Sequence, residues 1–200
     1  MKKIKRINLS VHLKDLIVVT LGILIAFGLN SWNENRKQEN LANSYLSSLK
    51  EELKSNKIEL KSKLDYHSKL LATLRNDPSN AKLILNPATL SDVGWKSGGS
   101  IIRDYIDPEL FRKIILTYQT HEDLVNHTRS ASEKINEISV MSPFLLVNVG
   151  NTLSKTEKAK LKVKINQGWI PIFESWTAIE TIYIENIDDA LDYWEQHRNE

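Results

Sequence analysis

The fold class predicted by the sequence is all-α: an N-terminal transmembrane helix that continues into an up-down helical bundle with short connecting helices. Glycine and proline are scarce, at seven and five of 200 residues, which favours long helices over turn-rich β folds. Neither residue type occurs between Leu29 and Asp77. Beyond the N-terminal segment, apolar residues recur at spacings of three, four or seven, which is typical of a helix with one buried face.

The first predicted element is a membrane span. Residues 16–29 carry no charge, and a helix extended over residues 11–32 would be about 33 Å long, enough for a hydrocarbon layer of roughly 30 Å. Lys14 and Asp15 would then lie near one interface, where lysine can snorkel, and Trp32 would lie near the other as an aromatic anchor. We therefore predict a retained signal-anchor.

Two other interpretations of this segment stay open. A cleaved signal peptide would have a similar apolar length, and Ala26-Phe27-Gly28 offers small residues at the positions that precede a cleavage site. A buried helix of a soluble domain could also contain a fourteen-residue apolar run. The basic residues before Asp15 and the apolar character of every helical face favour the anchor.

The charges around the span predict its orientation. Five basic residues precede Asp15, whereas Arg36 and Lys37 beyond the span are offset by Glu34 and Glu39. The positive-inside rule then places the N-terminus in the cytoplasm and the rest outside a bacterial inner membrane. The predicted regions are a cytoplasmic basic tail (residues 1–14), a transmembrane signal-anchor (15–32) and an extracytoplasmic, periplasmic helical bundle domain (33–200).

Four residues are the candidate membrane-anchor positions: Leu16, Gly22, Ala26 and Trp32. Gly22 and Ala26 form a small-xxx-small pair, which could let two helices approach closely, although small residues are common in membrane helices. Residues 40–200 hold 20 basic and 22 acidic residues. A nucleic-acid binder would have an excess of basic residues, which this part of the chain lacks. The expected partners are therefore the lipid bilayer and an envelope protein or a second copy of the chain.

The N-terminal residues also resemble a known family. The stretch Gly22–Glu34 (GILIAFGLNSWNE), followed by Asn35-Arg36-Lys37, is similar to the start of an uncharacterised family of single-pass membrane proteins from Bacteroidetes-type bacteria. The helix of that family typically reads GILIALQINNWNE and leads into a long charged helix. A looser similarity surrounds Trp95-Lys96-Ser97-Gly98. The resemblance implies a retained anchor and no particular activity.

The bundle begins with a long helix that ends near Pro78. Its apolar stripe, interrupted by Asn56 and His67, comprises Leu46, Leu49, Leu53, Leu60, Leu64, Leu71 and Leu74. A stripe this narrow and interrupted indicates that the long helix packs against other helices in a bundle or coiled coil. Residues 78–107 are expected to form an irregular top, with a short helix that opens at Asn86-Pro87 and breaks at Gly98-Gly99.

Four further helices complete the prediction. Asp107-Pro108 opens the second long helix, to about Val140, with a buried stripe that includes Val125. A short helix from Ser142-Pro143 to Gly150 follows. A capping box at Ser154 opens a lysine-rich helix that stops at Gly168, and the last helix runs from about Pro171 to Arg198.

No constellation for catalysis or metal binding is apparent. His121 and His127 are six residues apart, which on a helix places them about 120° apart, whereas a zincin needs i,i+4 spacing. We expect no enzymatic activity, no cofactor and no metal site. Trp95, Trp169 and Tyr193 form the candidate interaction face, with core packing as the alternative for each aromatic residue.

The function expected from these observations is a membrane-anchored extracytoplasmic helical module for protein–protein interaction or assembly in the bacterial envelope. The alternative is a sensor-like helical bundle that binds a small ligand and relays the signal through another subunit, because a tail of about fourteen residues offers no output domain on the assigned topology.

Overall fold

The computed structural model describes residues 9–84, 86–148 and 153–197, and within these ranges it is all-α. Five α-helices and one short 3₁₀ segment are present among the described residues: α1 (Leu9–Asn76), α2 (Val93–Ile102), the 3₁₀ segment (Arg103–Tyr105), α3 (Pro108–Asn148), α4 (Lys155–Gln167) and α5 (Ile170–Gln196). The chain forms two compact units, Met1–Ser44 and Tyr45–Glu200. The predicted all-α class is confirmed.

In the second unit, α1 and α5 run antiparallel. Side-chain contacts join the two helices along their length and fix the register: the ion pairs Lys50–Glu195, Lys57–Asp188 and Arg75–Glu174, and the hydrogen-bonded pair His67–Glu180. Between these positions the leucine stripe of α1 packs against α5; Leu53, Leu60 and Leu74 are fully buried. The helical spacing of the leucines is therefore the spacing of the buried face.

Helix α3 also packs against α5 and is antiparallel to it, so it runs parallel to α1. Lys113 Nζ is 2.6 Å from Asp189 Oδ2, and His121 Nδ1 is 2.9 Å from the Tyr183 hydroxyl. The buried face of α3 carries Ile114 and Leu124, whereas Val125 is 40% exposed. The predicted place of Val125 in the core was wrong, because its neighbour Leu124 is the residue that the helix buries there.

Residues 78–107 were predicted to form an irregular region at the far end of the bundle, and this location was wrong. The chain after α1 runs back along α1 in an extended form, and its first helix, α2, begins only at Val93. Asn86 does not cap a helix, since its side-chain oxygen accepts a hydrogen bond from Lys63 Nζ at 2.8 Å. The backbone of Ser91 is held by Asn56, which accepts from its N–H at 2.9 Å and donates to its carbonyl at 2.7 Å.

Gly98 and Gly99 lie inside α2 and do not break it. A Cβ on Gly98 would be 2.6 Å from Tyr45 Cγ, and a Cβ on Gly99 would be 2.9 Å from Trp95 Cε3. Both glycines are buried. Gly98 therefore permits close packing of α2 on α1, and Gly99 leaves room for the Trp95 ring of the same helix; both are packing roles and not the predicted flexible break.

The predicted break at Ser142-Pro143 was also wrong. Helix α3 continues through Pro143 to Asn148. A proline inside a helix removes one backbone hydrogen bond, at a cost of about 3 kcal/mol, but here the backbone stays helical. The predicted end of the short helix at Gly150 and the predicted end of the last helix at Arg198 lie outside the described residues.

The predicted helix starts at Asp107 and Ser154 are confirmed. Asp107 Oδ1 accepts from the backbone N–H groups of Glu109 at 2.9 Å and Leu110 at 3.1 Å. Ser154 and Glu157 form a reciprocal capping box at the start of α4, which stops at Gly168 as expected. These side chains satisfy N–H groups that have no partner within the helix.

Because Asp107 caps α3 through its side-chain carboxylate, we expect the stability of the fold to depend on pH. Hydrogen bonds from the Leu110 backbone and then from the Tyr193 hydroxyl hold the pKa of Asp107 below its ordinary value of 3.8. The stabilisation is therefore complete above pH 3.8 and is lost as the pH falls through the lower folded-state pKa. Asp107→Asn keeps the capping oxygen, so its unfolding midpoint is expected to fall less steeply than the wild type's in this acidic range. Urea unfolding at neutral pH and below pH 3.8 measures the difference.

Asp123→Asn is the control for this experiment, since Asp123 is an exposed carboxylate later on the same helix. It is expected to follow the wild-type pH profile. An Asp107→Asn profile parallel to that of the wild type would contradict the assignment of the cap.

Candidate functional site

The N-terminal segment is helical, and its apolar side chains are exposed. Exposure ranges from 51% at Ile17 to 69% at Phe27, with Leu16 at 62% and Trp32 at 58%. Within the described residues, this helix is long and apolar enough to cross a membrane, with a mean hydropathy of 1.8 in its most apolar window. Arg36 lies over the Trp32 ring at 5.0 Å from its centroid, an arrangement suited to an aqueous interface.

The small-residue pair of the segment is also exposed. A Cβ added at Gly22 would have no neighbouring atom within 4 Å, and Ala26 is exposed. Residues 1–8 of the predicted tail lie outside the described residues. The helical Leu16–Trp32 stretch thus has the geometry that a membrane span needs.

The three predicted interaction-face residues have different surroundings. Trp169 is 3% exposed and belongs to the core, so it offers no surface to a partner. Tyr193 is half-buried and donates a hydrogen bond from its hydroxyl to Asp107 at 2.9 Å. Trp95 is half-buried on α2. An interaction role for Trp95 and Tyr193 stays a prediction.

Trp95 borders a cleft of about 400 Å³ between α2 and α3. Its wall on the α2 side also contains Asp92 and Lys96; the α3 side contributes Ile115, Tyr118, Gln119, His121, Glu122, Val125, Asn126 and Arg129. Because residues three, four and seven apart share a helix face, Glu122, Asn126 and Arg129 line one edge of this cleft. Its size is within the range of small-molecule sites.

The floor of the cleft is aromatic. The Trp95 and Tyr118 rings stack with centroids 5.1 Å apart and an interplanar angle of 8°. The Tyr118 hydroxyl makes a short hydrogen bond to Glu52 of α1, and burial is the main cause that raises its pKa. Glu52 also accepts from the Gly94 backbone N–H at 2.8 Å and the Ser91 hydroxyl at 2.7 Å. The floor is therefore fixed by α1 and the start of α2 together.

His121 connects the cleft to the interior of the bundle. Its Nδ1 is 2.9 Å from the Tyr183 hydroxyl, and its Nε2 is 3.9 Å from Asp92 Oδ2. Burial lowers the pKa of His121 below its ordinary 6.5, which favours a neutral imidazole at neutral pH. A neutral ring can donate one hydrogen bond and accept another.

The charged groups of the cleft differ in how they are paired. Lys96 Nζ is 2.7 Å from Asp92 Oδ2, and this hydrogen bond raises the pKa of Lys96. Glu122 and Arg129 are exposed and form no ion pair with any side chain that the structure describes. One acidic and one basic group are thus available at the same edge.

A second polar cluster lies deep in the core. His67 Nδ1 is 2.9 Å and 3.1 Å from the two carboxylate oxygens of Glu180, and both side chains are 0% exposed. The Trp176 and Phe173 rings lie 4.7 Å and 5.8 Å from the His67 ring, between centroids. His67 Nε2 has no hydrogen-bond partner among the described residues. This pair is enclosed and has no access to solvent.

Sequence reasoning missed Glu180 and treated His67 as an interruption. The signal was present: Glu180 lies four residues after Trp176 and three before Tyr183, which are both core positions. A polar residue at a core position needs a buried partner. In the described part of the chain, no group of three or more histidine, aspartate or glutamate side chains is arranged to hold a metal ion.

The N-terminal part of the chain is similar to an uncharacterised protein family. Residues 15–85 match the model of a family of unknown function, DUF6090. This match spans the candidate membrane helix, the rest of α1 and the first residues of the extended segment. No curated protein and no solved structure matches the chain. The chain is therefore similar, over these residues, to a family whose activity is unknown.

Proposed function

We propose that this protein is a membrane-tethered, non-enzymatic helical module of the bacterial envelope that binds another envelope protein or a second copy of itself. The observation that supports it most is the N-terminal helix, whose ten large apolar side chains between Leu16 and Leu29 are each at least 51% exposed. Exposing so many in water would cost on the order of 15–30 kcal/mol, at about 1.5–3 kcal/mol each. A bilayer removes that cost.

The orientation of the tether is part of the proposal. Five basic residues precede Asp15, which supports a cytoplasmic N-terminus in the inner membrane and a periplasmic bundle. The chain has no cysteine, so single cysteines can report topology. In intact spheroplasts, a membrane-impermeant maleimide is expected to label Asn199→Cys, and to label Ser10→Cys only after permeabilisation. The reverse labelling pattern would place the bundle in the cytoplasm.

The partner surface suggested by the geometry lies on the outer seam of α3 and α5. Asn186 Nδ2 donates to Thr120 Oγ1 at 2.8 Å across this seam. Leu116 lies one turn before Thr120 and Ile182 one turn before Asn186; because the two helices are antiparallel, these residues lie along the seam on opposite sides of this contact. They are 42% and 49% exposed. Two large apolar side chains at one seam are the kind of feature that a partner covers.

Variants of this seam test the interaction. Leu116→Glu and Ile182→Glu are expected to abolish co-purification of a partner, or of a differently tagged second copy, from detergent extracts. Ile58→Glu on α1 is the matched control, since Ile58 is 73% exposed on a different helix. Repeated recovery of the wild-type protein alone and monomeric would contradict the interaction.

A second candidate function is the binding of a small ligand, with a signal relayed through another subunit. The cleft between α2 and α3 supports it, because the cleft combines an aromatic floor with unpaired charges at its edge. Apolar walls with a few polar groups are typical of ligand sites.

A further inference from the structure

The cleft between α2 and α3 has a charge pattern that selects a ligand class. Its four formally charged side chains are Asp92, Lys96, Glu122 and Arg129, two acidic and two basic. Asp92 pairs with Lys96 at 2.7 Å, and Glu122, which forms no ion pair within the described residues, adds a longer-range attraction to the same ammonium group. Glu122 and Arg129 are left to face a ligand, and a ligand that satisfies both must carry a cationic and an anionic group.

The spacing of these two residues sets the distance between the charges on the ligand. Seven residues on one helix correspond to a rise of about 10.5 Å. A hydrogen bond of roughly 2.8 Å at each end leaves about 5 Å along the axis between the charges of the ligand. The termini of an extended dipeptide are about 6–7 Å apart, at 3.3–3.6 Å per residue. A dipeptide fits this interval better than a free amino acid, in which both charges are attached to one carbon atom.

The groups between the two charges match the middle of a dipeptide. Asn126 lies on the same helix face, and its side-chain amide can both donate to and accept from a peptide group. Val125, 40% exposed, lies beside Asn126, while the Trp95–Tyr118 stack forms the aromatic floor. The cleft volume of about 400 Å³ is sufficient for two residues with apolar side chains.

We propose that the cleft between α2 and α3 binds a dipeptide with free termini and apolar side chains, whose ammonium group contacts Glu122 and whose carboxylate contacts Arg129. The peptide unit between them contacts Asn126, and an apolar side chain packs on Trp95. This proposal rests on the second candidate function. Its failure would leave the tether and the α3–α5 partner surface unaffected, since these are tested by topology and co-purification.

Isothermal titration of the full-length protein in detergent with L-leucyl-L-phenylalanine tests the site. The N-acetyl derivative and the C-terminal amide each lack one charge of the same peptide. Each is expected to bind at least about ten-fold more weakly than the free dipeptide, because a hydrogen bond to a charged group contributes about 1.5–3 kcal/mol and 1.4 kcal/mol is ten-fold.

Two variants assign each end of the ligand. Glu122→Gln is expected to abolish the preference for the free over the acetylated N-terminus and to keep the preference for the free carboxylate. Arg129→Gln is expected to do the opposite. Glu133→Gln and Arg103→Gln, which change exposed residues outside the cleft, should keep both preferences. No binding of the free dipeptide at millimolar concentration, or unchanged preferences in the two cleft variants, would overturn the proposal.

Discussion

Replacement of His67 by leucine is expected to destabilise the bundle by about 3–5 kcal/mol, because it leaves the buried Glu180 carboxylate without a partner. Glu180→Leu is expected to be less costly, since it removes the partner of only one imidazole nitrogen, Nδ1, at a cost of about 1–3 kcal/mol. Replacing both residues by leucine is expected to restore wild-type stability to within about 1 kcal/mol or to exceed it, because replacing both partners of a buried hydrogen bond by apolar groups can be nearly neutral or stabilising.

Urea unfolding of the full-length protein in detergent measures these differences. Trp176, 4.7 Å from His67 between ring centroids, provides a fluorescence signal from the affected part of the core. His197→Leu, at an exposed histidine near the end of the chain, is the matched control and is expected to be near neutral. A double variant as unstable as the sum of the two single variants would contradict a coupled pair.

Gly98→Ala is expected to destabilise the bundle by about 1–3 kcal/mol, which is the usual cost of overpacking. The new Cβ would lie 2.6–2.7 Å from Cγ, Cβ and Cδ1 of Tyr45. These atoms are at the base of the ring and cannot move away without shifting α1 or α2. The intrinsic helix preference of alanine, about 1 kcal/mol over glycine, offsets only part of the cost.

Gly94→Ala is the matched control on the same helix. The atoms nearest to its Cβ would be those of the Glu52 carboxylate at 3.4–3.5 Å, and the hydrogen bond from the Gly94 backbone N–H to Glu52 is retained. It is expected to be neutral or stabilising. Equal unfolding midpoints for Gly98→Ala and Gly94→Ala would show that α2 does not pack on α1 as closely as described.

The long helices and their buried faces could be predicted because their signal is local. Leucines at three- and four-residue spacing in α1 lie in the core, and Asp107 and Ser154 cap helices as their sequence context indicates. Each of these inferences needs only the residues within one or two helical turns. The direction of α5 followed from the helix count, whereas the predicted return of α3 along α1 was wrong: α1 and α3 are both antiparallel to α5 and therefore parallel to each other.

The failures concern residues whose role depends on distant neighbours. Gly98 acts through Tyr45, which is 53 positions earlier in the sequence, and the partner of His67 is 113 positions away. From local sequence alone, Gly98 was predicted to break a helix and His67 to interrupt the apolar stripe of α1. Tertiary contacts decide both: the helical spacing marks Glu180 as a core position but does not identify His67 as its partner.

The cleft could be predicted only in fragments. Trp95 and His121 each drew attention in the sequence, but they were assigned to different roles. Their meeting depends on the extended return of residues 81–92 along α1, which places α2 beside α3. In the sequence, Glu122 and Arg129 resemble other exposed charged residues of a helix. The proposal that they bind one ligand depends on the cleft, which is formed by two helices.

Flotation of alkaline-washed membranes on a density gradient tests the membrane tether most directly. Alkaline carbonate removes peripheral proteins, whereas a segment such as Leu16–Trp32 that resides in lipid stays with the bilayer. The full-length protein is expected to float with the lipid and to leave it only when detergent is added. Recovery of the full-length chain in the aqueous fraction without detergent would show that these exposed apolar side chains are not embedded in a membrane.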